Sequence, residues 1–354
     1  MSKIEADFDN IRVAWNYWAD HQNVSRLMEF VRPLWIFFET RGSFTPAIQF
    51  FGDAAQKLDS NEPEVVCARA EIRARQAWFI ALIGLPDQGL QLAQESVSTL
   101  RQYNREISVN TLDSVNINAI FMNQNEIVNQ VSQEMMARAD RSGDIWERAW
   151  ALIWSAYAFV LQHQIEGALQ TGRQALAIFE RLENPFGISV ASGLILGIIS
   201  MTIGDMRAAK EYFLRGMQAA EEINYLRLLQ IIYDNLGTLA LVEKDIELAQ
   251  ASFLKSLRIS QESGQTREML ASLRDLANVY MAQGNPDTAL QLLAVVLNHP
   301  ASDQNSLNRP ERLQDEAEKL RAQIEGQLDP GLYQSAWQIG QRQRLADVVA
   351  KILN

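Results

Sequence analysis

Three tryptophans, Trp146, Trp150 and Trp154, recur at i, i+4 and i+8. On a helix that spacing lines three indoles along one face. Such a stripe serves either as core between stacked helices or as the aromatic wall of a ligand groove. A polar set repeats a four-residue spacing twice: Asp234 with Thr238, then Arg274 with Asn278. Elsewhere the chemistry is sparse. His21, His163 and His299 are far apart and have no metal-ligand spacing. No Ser or Cys has a His and an acid at the spacing of a catalytic motif, and no G-x-x-x-x-G-K-[ST] loop is present to cradle a phosphate. Glu5, Asp7 and Asp9 read as a solvated charge cluster, and Glu221–Glu222 as a helix end. The reading is of a non-catalytic protein, with no cofactor and no metal.

Composition narrows the partner. The 354 residues are 47% hydrophobic and 21% charged, with a net charge of -11. An acidic chain repels phosphate backbones, so direct nucleic-acid binding is not expected. The single cysteine, Cys67, excludes an internal disulfide, fits a reducing cytosol and reads as a small buried hydrophobe. The opening MSKIEADFDN is no signal peptide, and the apolar runs read as shorter than the ~18 residues of a membrane span. The expectation is a cytoplasmic protein without a membrane contact.

The elements that carry these residues are helix pairs. LGIISMTIGDMRAAKEYF from Leu196, LGTLALVEKDIELAQASF from Leu236 and LANVYMAQGNPDTALQLL from Leu276 spell one unit three times. Each unit opens on Leu and a tiny residue, turns at Gly204, Lys244 or Gly284, and places Ala209, Ala249 or Ala289 five residues later. Traced backwards, turns fall near Gly42, Gly84, Asn123 and His163, followed by Ala47, Gly89, Val128 and Ala168. Successive gaps between the small positions are 42, 39, 40, 41, 40 and 40. A tiny residue at a fixed phase lets two backbones approach, and a repeat of about 40 residues built of two helices is the signature of an α-solenoid. The fold class predicted is all-α: a right-handed superhelix of about seven antiparallel helix pairs with a C-terminal helical cap.

Local signals set the boundaries. Residues 4–19 form an amphipathic helix, and a second, through Leu27 and Phe38, carries Pro33 as a candidate kink. Asn184 and Asn285 precede prolines as helix caps, Asp205 and Asp245 cap the helices after them, and a helix opens at Glu62–Pro63. After Val296 the regularity ends in a polar loop. A charged helix over about 310–327 follows, then two short helices between Leu328 and Leu353. The organisation read is an N-terminal helix pair (1–41), repeats (42–298), and a loop with capping helices (299–354).

The units resemble tetratricopeptide repeats of an extended kind, with Leu-Gly or Leu-Ala in the first helix, a Gly-Asn or Gly-Asp turn, and Ala early in the second. Tyr280, Ala282 and GNPDTAL carry the pattern most fully. The two ends are similar to something narrower. DFDNIRVAWNYW (Asp7 to Trp18) and LDPGLYQSAWQIGQRQRLADVVAKIL (Leu328 to Leu353) resemble the segments that open and close the helical arm of bacterial signal-transducing (STAND-type) ATPases and their LuxR-type or SARP-type regulator relatives. No nucleotide-binding loop or DNA-reading segment accompanies them.

The resemblance implies that the first helix of each pair lines a concave side. The candidate groove residues are then Trp78, Phe121, Trp150, Tyr157 and Met201, with Ile117, Ile198 and Leu241 near them. Asp234, Thr238, Arg274 and Asn278 form its polar end. Peptide-binding tetratricopeptide domains hold a terminal carboxylate with such bases and Asn. Here one base faces one acid, which favours an Asp234–Arg274 structural pair. The function implied is a sensor or scaffold arm binding a protein or peptide partner, or a small inducer. The alternative is a free-standing peptide receptor like the Rap-type quorum sensors.

Overall fold

The computed structural model describes residues 5–303 and 312–354. Among these the chain is helical and connected by short turns, with no strand. An entry pair, α1 (Phe8–Asp20) and α2 (Val24–Arg41), leads into α3 (Phe44–Lys57). Then come α4 (Pro63–Leu82), α5 (Pro86–Gln102), α6 (Val109–Phe121), α7 (Asn125–Ser142), α8 (Ile145–Leu161) and α9 (Ile165–Arg181). α10 (Pro185–Ser189) runs through a π-helical stretch, Val190–Leu196, into α11 (Gly197–Thr202). The series continues with α12 (Met206–Glu222), α13 (Leu226–Val242), α14 (Ile246–Glu262), α15 (Thr266–Ala282) and α16 (Pro286–Leu297). After a 3-10 turn, Pro300–Asp303, the chain closes with α17 (Leu313–Glu325), α18 (Pro330–Arg342) and α19 (Leu345–Leu353). Part of the loop expected after Val296, residues 304–311, lies outside the described residues.

The turns are built as the repeat predicts. Gly42, Gly84, Asn123, His163, Gly204, Lys244 and Gly284 all take a positive φ, between 55° and 86°. That left-handed residue ends a helix by letting the following N–H reach back to an unpaired carbonyl. The bonds are present: Leu85 N–H donates to Ile80, Gln124 to Ala119, Gln164 to Phe159, Asp245 to Ala240 and Asn285 to Tyr280. Asn123, His163 and Lys244 hold a conformation that glycine adopts more cheaply.

The small positions mark close helix contacts. Ala47, Val128, Ala168, Ala209, Ala249 and Ala289 are inaccessible to solvent, and Gly89 is buried. A methyl group on Gly237 would strike the ring of Phe253 on α14, and one on Gly187 the ring of Phe179 on α9. Caps follow the reading with one exception. Asn184 accepts from Gly187 N–H at 2.8 Å, Asp205 from Ala208 at 3.0 Å and Asp245 from Leu248 at 3.0 Å. Asn285, by contrast, makes no side-chain cap, although Pro286 follows it. α2 continues unbroken through Pro33.

One sequence expectation is corrected. The continuous helix Pro185–Thr202 is 18 residues long with a mean hydropathy of 1.7, enough by length and composition to cross a membrane. Two-thirds of it is buried inside the protein, because its Gly and Ser positions pack against α9 and α12. Its apolar character is that of a core helix.

The chain groups into two compact units. The first reaches to Ile203 and includes Leu214–Tyr225; the second comprises Gly204–Phe213 and Leu226–Asn354. The core of the second contains Phe253, Leu257, Leu270, Leu273, Leu290 and Leu293 and is closed by Leu313, Leu320, Ile324, Ala336 and Val349 from the capping helices.

Candidate functional site

In the first unit the face expected to be a groove is partly occupied by the protein itself. α2 carries Trp35, which is fully buried. Its ring centroid lies 5.2 Å from Trp78 on α4, 5.4 Å from Trp150 on α8 and 5.6 Å from Phe186 on α10, edge-on in each case. Edge-to-face packing sets the positive rim of one ring against the negative face of another, adding about 1 kcal/mol per pair beyond area burial. Trp146 and Trp150 stack at 5.5 Å, so the i, i+4 spacing does bring these indoles onto one face.

A charge pair is sealed inside this box. Arg75 on α4 is held by Asp113 on α6, and its Nη2 lies 2.7 Å from Ser114 Oγ. Its guanidinium carbon sits 5.0 Å from the Trp35 ring centroid and 5.6 Å from that of Trp78. Asp113 also accepts from Trp150 Nε1 at 2.8 Å. Burial pushes the Asp113 carboxyl up to about 6, against the lowering pull of Arg75 and the Trp150 bond. Burial likewise lowers the Arg75 pKa.

Glu39, also on α2, ties the box shut by accepting from Trp78 Nε1 and from the Tyr225 hydroxyl, each at 2.8 Å. Midway along α2, Arg32 lies over Trp146 at 4.5 Å and pairs with Glu147 at 3.4 Å, and at its C-terminal end Arg41 donates to the carbonyls of Ile223 and Asn224 at 3.1 Å.

Trp78 and Trp150 are therefore buried beneath α2, and Ile117 is buried as well. Phe121, Tyr157, Ile198 and Met201 are half-buried on α6, α8 and α11, and present the accessible part of the set. Burial pushes the Tyr157 hydroxyl up to about 12.

The second unit holds the polar set. Arg274 on α15 lies 2.9 Å from Asp275 and 3.2 Å from Glu316 of α17, and its charge also reaches the buried Asp234. Asp234 accepts from Gln230 and is bonded by the Ser256 hydroxyl. Burial raises the pKa of both Asp234 and Asp275. Thr238 and Asn278 turn their polar groups onto their own helices, to the carbonyls of Asp234 at 2.9 Å and Arg274 at 3.3 Å. A carboxylate ligand at Arg274 would have to compete with two acids already in place. Leu241 is partly buried against the core of this unit.

Among the described residues no three His, Cys, Asp or Glu side chains converge as a metal site. Cys67 is buried and its thiol pKa is raised by burial. Trp35, Glu39, Arg75, Asp113 and Tyr225 are the residues sequence reading missed. Arg75 leaves a partial signal, a charge next to Ala74 and within a turn of Ile72, Trp78 and Phe79, whereas Asp113 stands among Asn110, Ser114 and Asn116 and leaves none.

Residues 228–299 match the tetratricopeptide repeat model. No curated protein sequence matches the chain. Among solved structures, a chain of the APC/C hetero-tetramer Cut9–Hcn1 is 15% identical, with 98% of this chain and 60% of that one covered at a TM-score of 0.60. This chain thus spans less than two-thirds of that protein. The apo form of the quorum sensor NprR from B. thuringiensis is 13% identical, with coverage of 99% and 100% and a TM-score of 0.58. A Rap protein complexed with competence and sporulation factor is 13% identical, with coverage of 93% and 99% and a TM-score of 0.56. At these identities the likeness is one of fold, a tetratricopeptide-like helical solenoid.

Proposed function

We propose that this chain is a non-catalytic arm of a bacterial signalling regulator that binds a protein or peptide. The observation that carries the reading is the pairing of a tetratricopeptide repeat match with an accessible apolar strip, Phe121, Tyr157, Ile198 and Met201, on successive first helices. A half-buried strip of this kind suits the apolar face of a peptide or partner helix. The regulator context rests on the end segments Asp7–Trp18 and Leu328–Leu353. A second reading, a free-standing peptide receptor, is supported by the near-complete coverage of the NprR and Rap structures, the latter complexed with competence and sporulation factor.

The test is to pan a phage-displayed library of random peptides against the full chain. Enriched peptides should lose at least tenfold in affinity with Tyr157→Asp and with Met201→Asp. Enrichment indifferent to both substitutions would overturn the assignment of the strip.

A further inference from the structure

One edge of the first unit carries apolar side chains that the fold does not require. It is the edge where the first helix of each pair hands over to the second. Ile83 and Leu85, between α4 and α5, are 41% and 43% exposed, and Ile203, after α11, is 47% exposed. Between them stand the half-buried Met122 after α6 and Val160 and Leu161 at the end of α8. Gln162 Nε2 donates to Asn129 Oδ1 on α7 at 2.8 Å, which ties the turn after α8 to the preceding helix pair. The turns themselves need only a left-handed residue and its backbone bonds. Gln162-His163-Gln164 makes the same turn with polar side chains.

Over the first three of these turns the charge has one sign; at the fourth the matching position is Arg207, which pairs with Glu211 at 3.2 Å. Asp87, Glu126 and Glu166 are exposed in the first turns of α5, α7 and α9. A helix N-terminus favours an acid there, and among the described residues none of the three forms an ion pair. No Lys or Arg occurs in 83–89, 121–128 or 160–167, whereas the equivalent stretch after Ile203 holds Arg207. At the opposite edge the chain neutralises itself: Arg105 faces Glu64 at 3.9 Å, Arg138 and Arg141 face Glu106 at 3.5 and 3.2 Å, and Arg148 faces Asp140 at 3.5 Å.

We propose that this apolar, acid-lined edge docks a cationic amphipathic helix of a partner protein. Packed helices lie about 10 Å apart, so the three acid-bearing turns span about 20 Å. At 1.5 Å per residue a helix of about 14 residues reaches from the first of these turns to the third, and one heptad, about 10.5 Å, advances one repeat. A partner with Leu on one stripe and Lys or Arg flanking it therefore meets one apolar step and one acid per heptad. The edge substitutions leave Tyr157 and Ile198 in place, so this proposal and the peptide-strip reading are tested by different variants.

The probe is a synthetic 21-residue helix with Leu at a and d and Lys at e and g, and its Glu counterpart, titrated by fluorescence anisotropy against the full chain. The Lys helix should bind, weaken with added salt, and lose at least tenfold in affinity to a triple variant, Asp87→Lys, Glu126→Lys and Glu166→Lys. If that variant does not fold, Leu85→Gln with Ile203→Gln, which keeps every charge, should produce the loss. Peptides selected on the Tyr157 strip should keep their affinity for the edge variants. A Lys helix that binds the triple variant or the Gln pair as tightly as the parent, or that binds no better than the Glu helix, overturns the proposal.

Discussion

Asp113 faces Arg75 with no solvent to share the charge, and its carboxyl titrates at about 6 when folded against an ordinary value of 3.8. The native state therefore holds this proton more tightly than the unfolded chain. The stability it contributes is fully present below about pH 4 and is lost as the pH rises through about 6. A shift of about two units corresponds to about 3 kcal/mol. Urea unfolding of the parent and Asp113→Asn between pH 4 and pH 7 should show the balance moving against the parent by that order; a pH-independent difference would refute it. Tyr225 is a second single-residue lever. Tyr225→Phe removes a buried bond to the Glu39 carboxyl group and should cost about 1–3 kcal/mol in urea. Tyr157→Phe is the control: Tyr157 donates no hydrogen bond among the described residues, so the change should stay within about 0.5 kcal/mol.

At the scale of the element, the repeat works through small residues and left-handed turns. Gly237 brings α13 against Phe253 of α14. Gly237→Ala improves helix propensity yet should destabilise by about 1–3 kcal/mol, because the added methyl overpacks the ring. A thermal midpoint equal to or above the parent's would mean that the helices can separate without penalty. Lys244 pays for a left-handed conformation, φ 63°, that its side chain disfavours. Lys244→Gly should raise stability by about 1 kcal/mol in urea unfolding, since that conformation costs glycine little. The turns were legible because backbone strain selects Gly, Asn and a few tolerated residues at a fixed period. The missing side-chain cap at Asn285 was not legible, because whether a side chain meets an N–H depends on a torsion no pattern records.

The whole molecule contains two compact units, and the tryptophans are divided unequally between them. Seven of the eight, all except Trp337, lie in the first unit. Tryptophan fluorescence therefore reports chiefly on that unit, whereas far-UV circular dichroism reports on both. Long repeat arrays depart from all-or-none unfolding, so in urea the two signals should give different midpoints. Superimposable curves would indicate one cooperative block.

Periodicity alone determined the helix pairs, their turn residues and the small positions, because each is a local demand of backbone conformation and of neighbour-to-neighbour packing. It also placed Trp146 and Trp150 on one face. Tertiary structure alone decided what that face meets. Trp78 and Trp150 lie beneath α2, more than a hundred residues from Trp150 in sequence, and Arg274 is answered by Glu316 across a separate helix. A groove and a core are both apolar at the same helical period, so sequence cannot separate them. Only the path of the chain, which lays one helix across several others, selects which side chains are sealed and which, like Ile83 and Ile203, stay exposed.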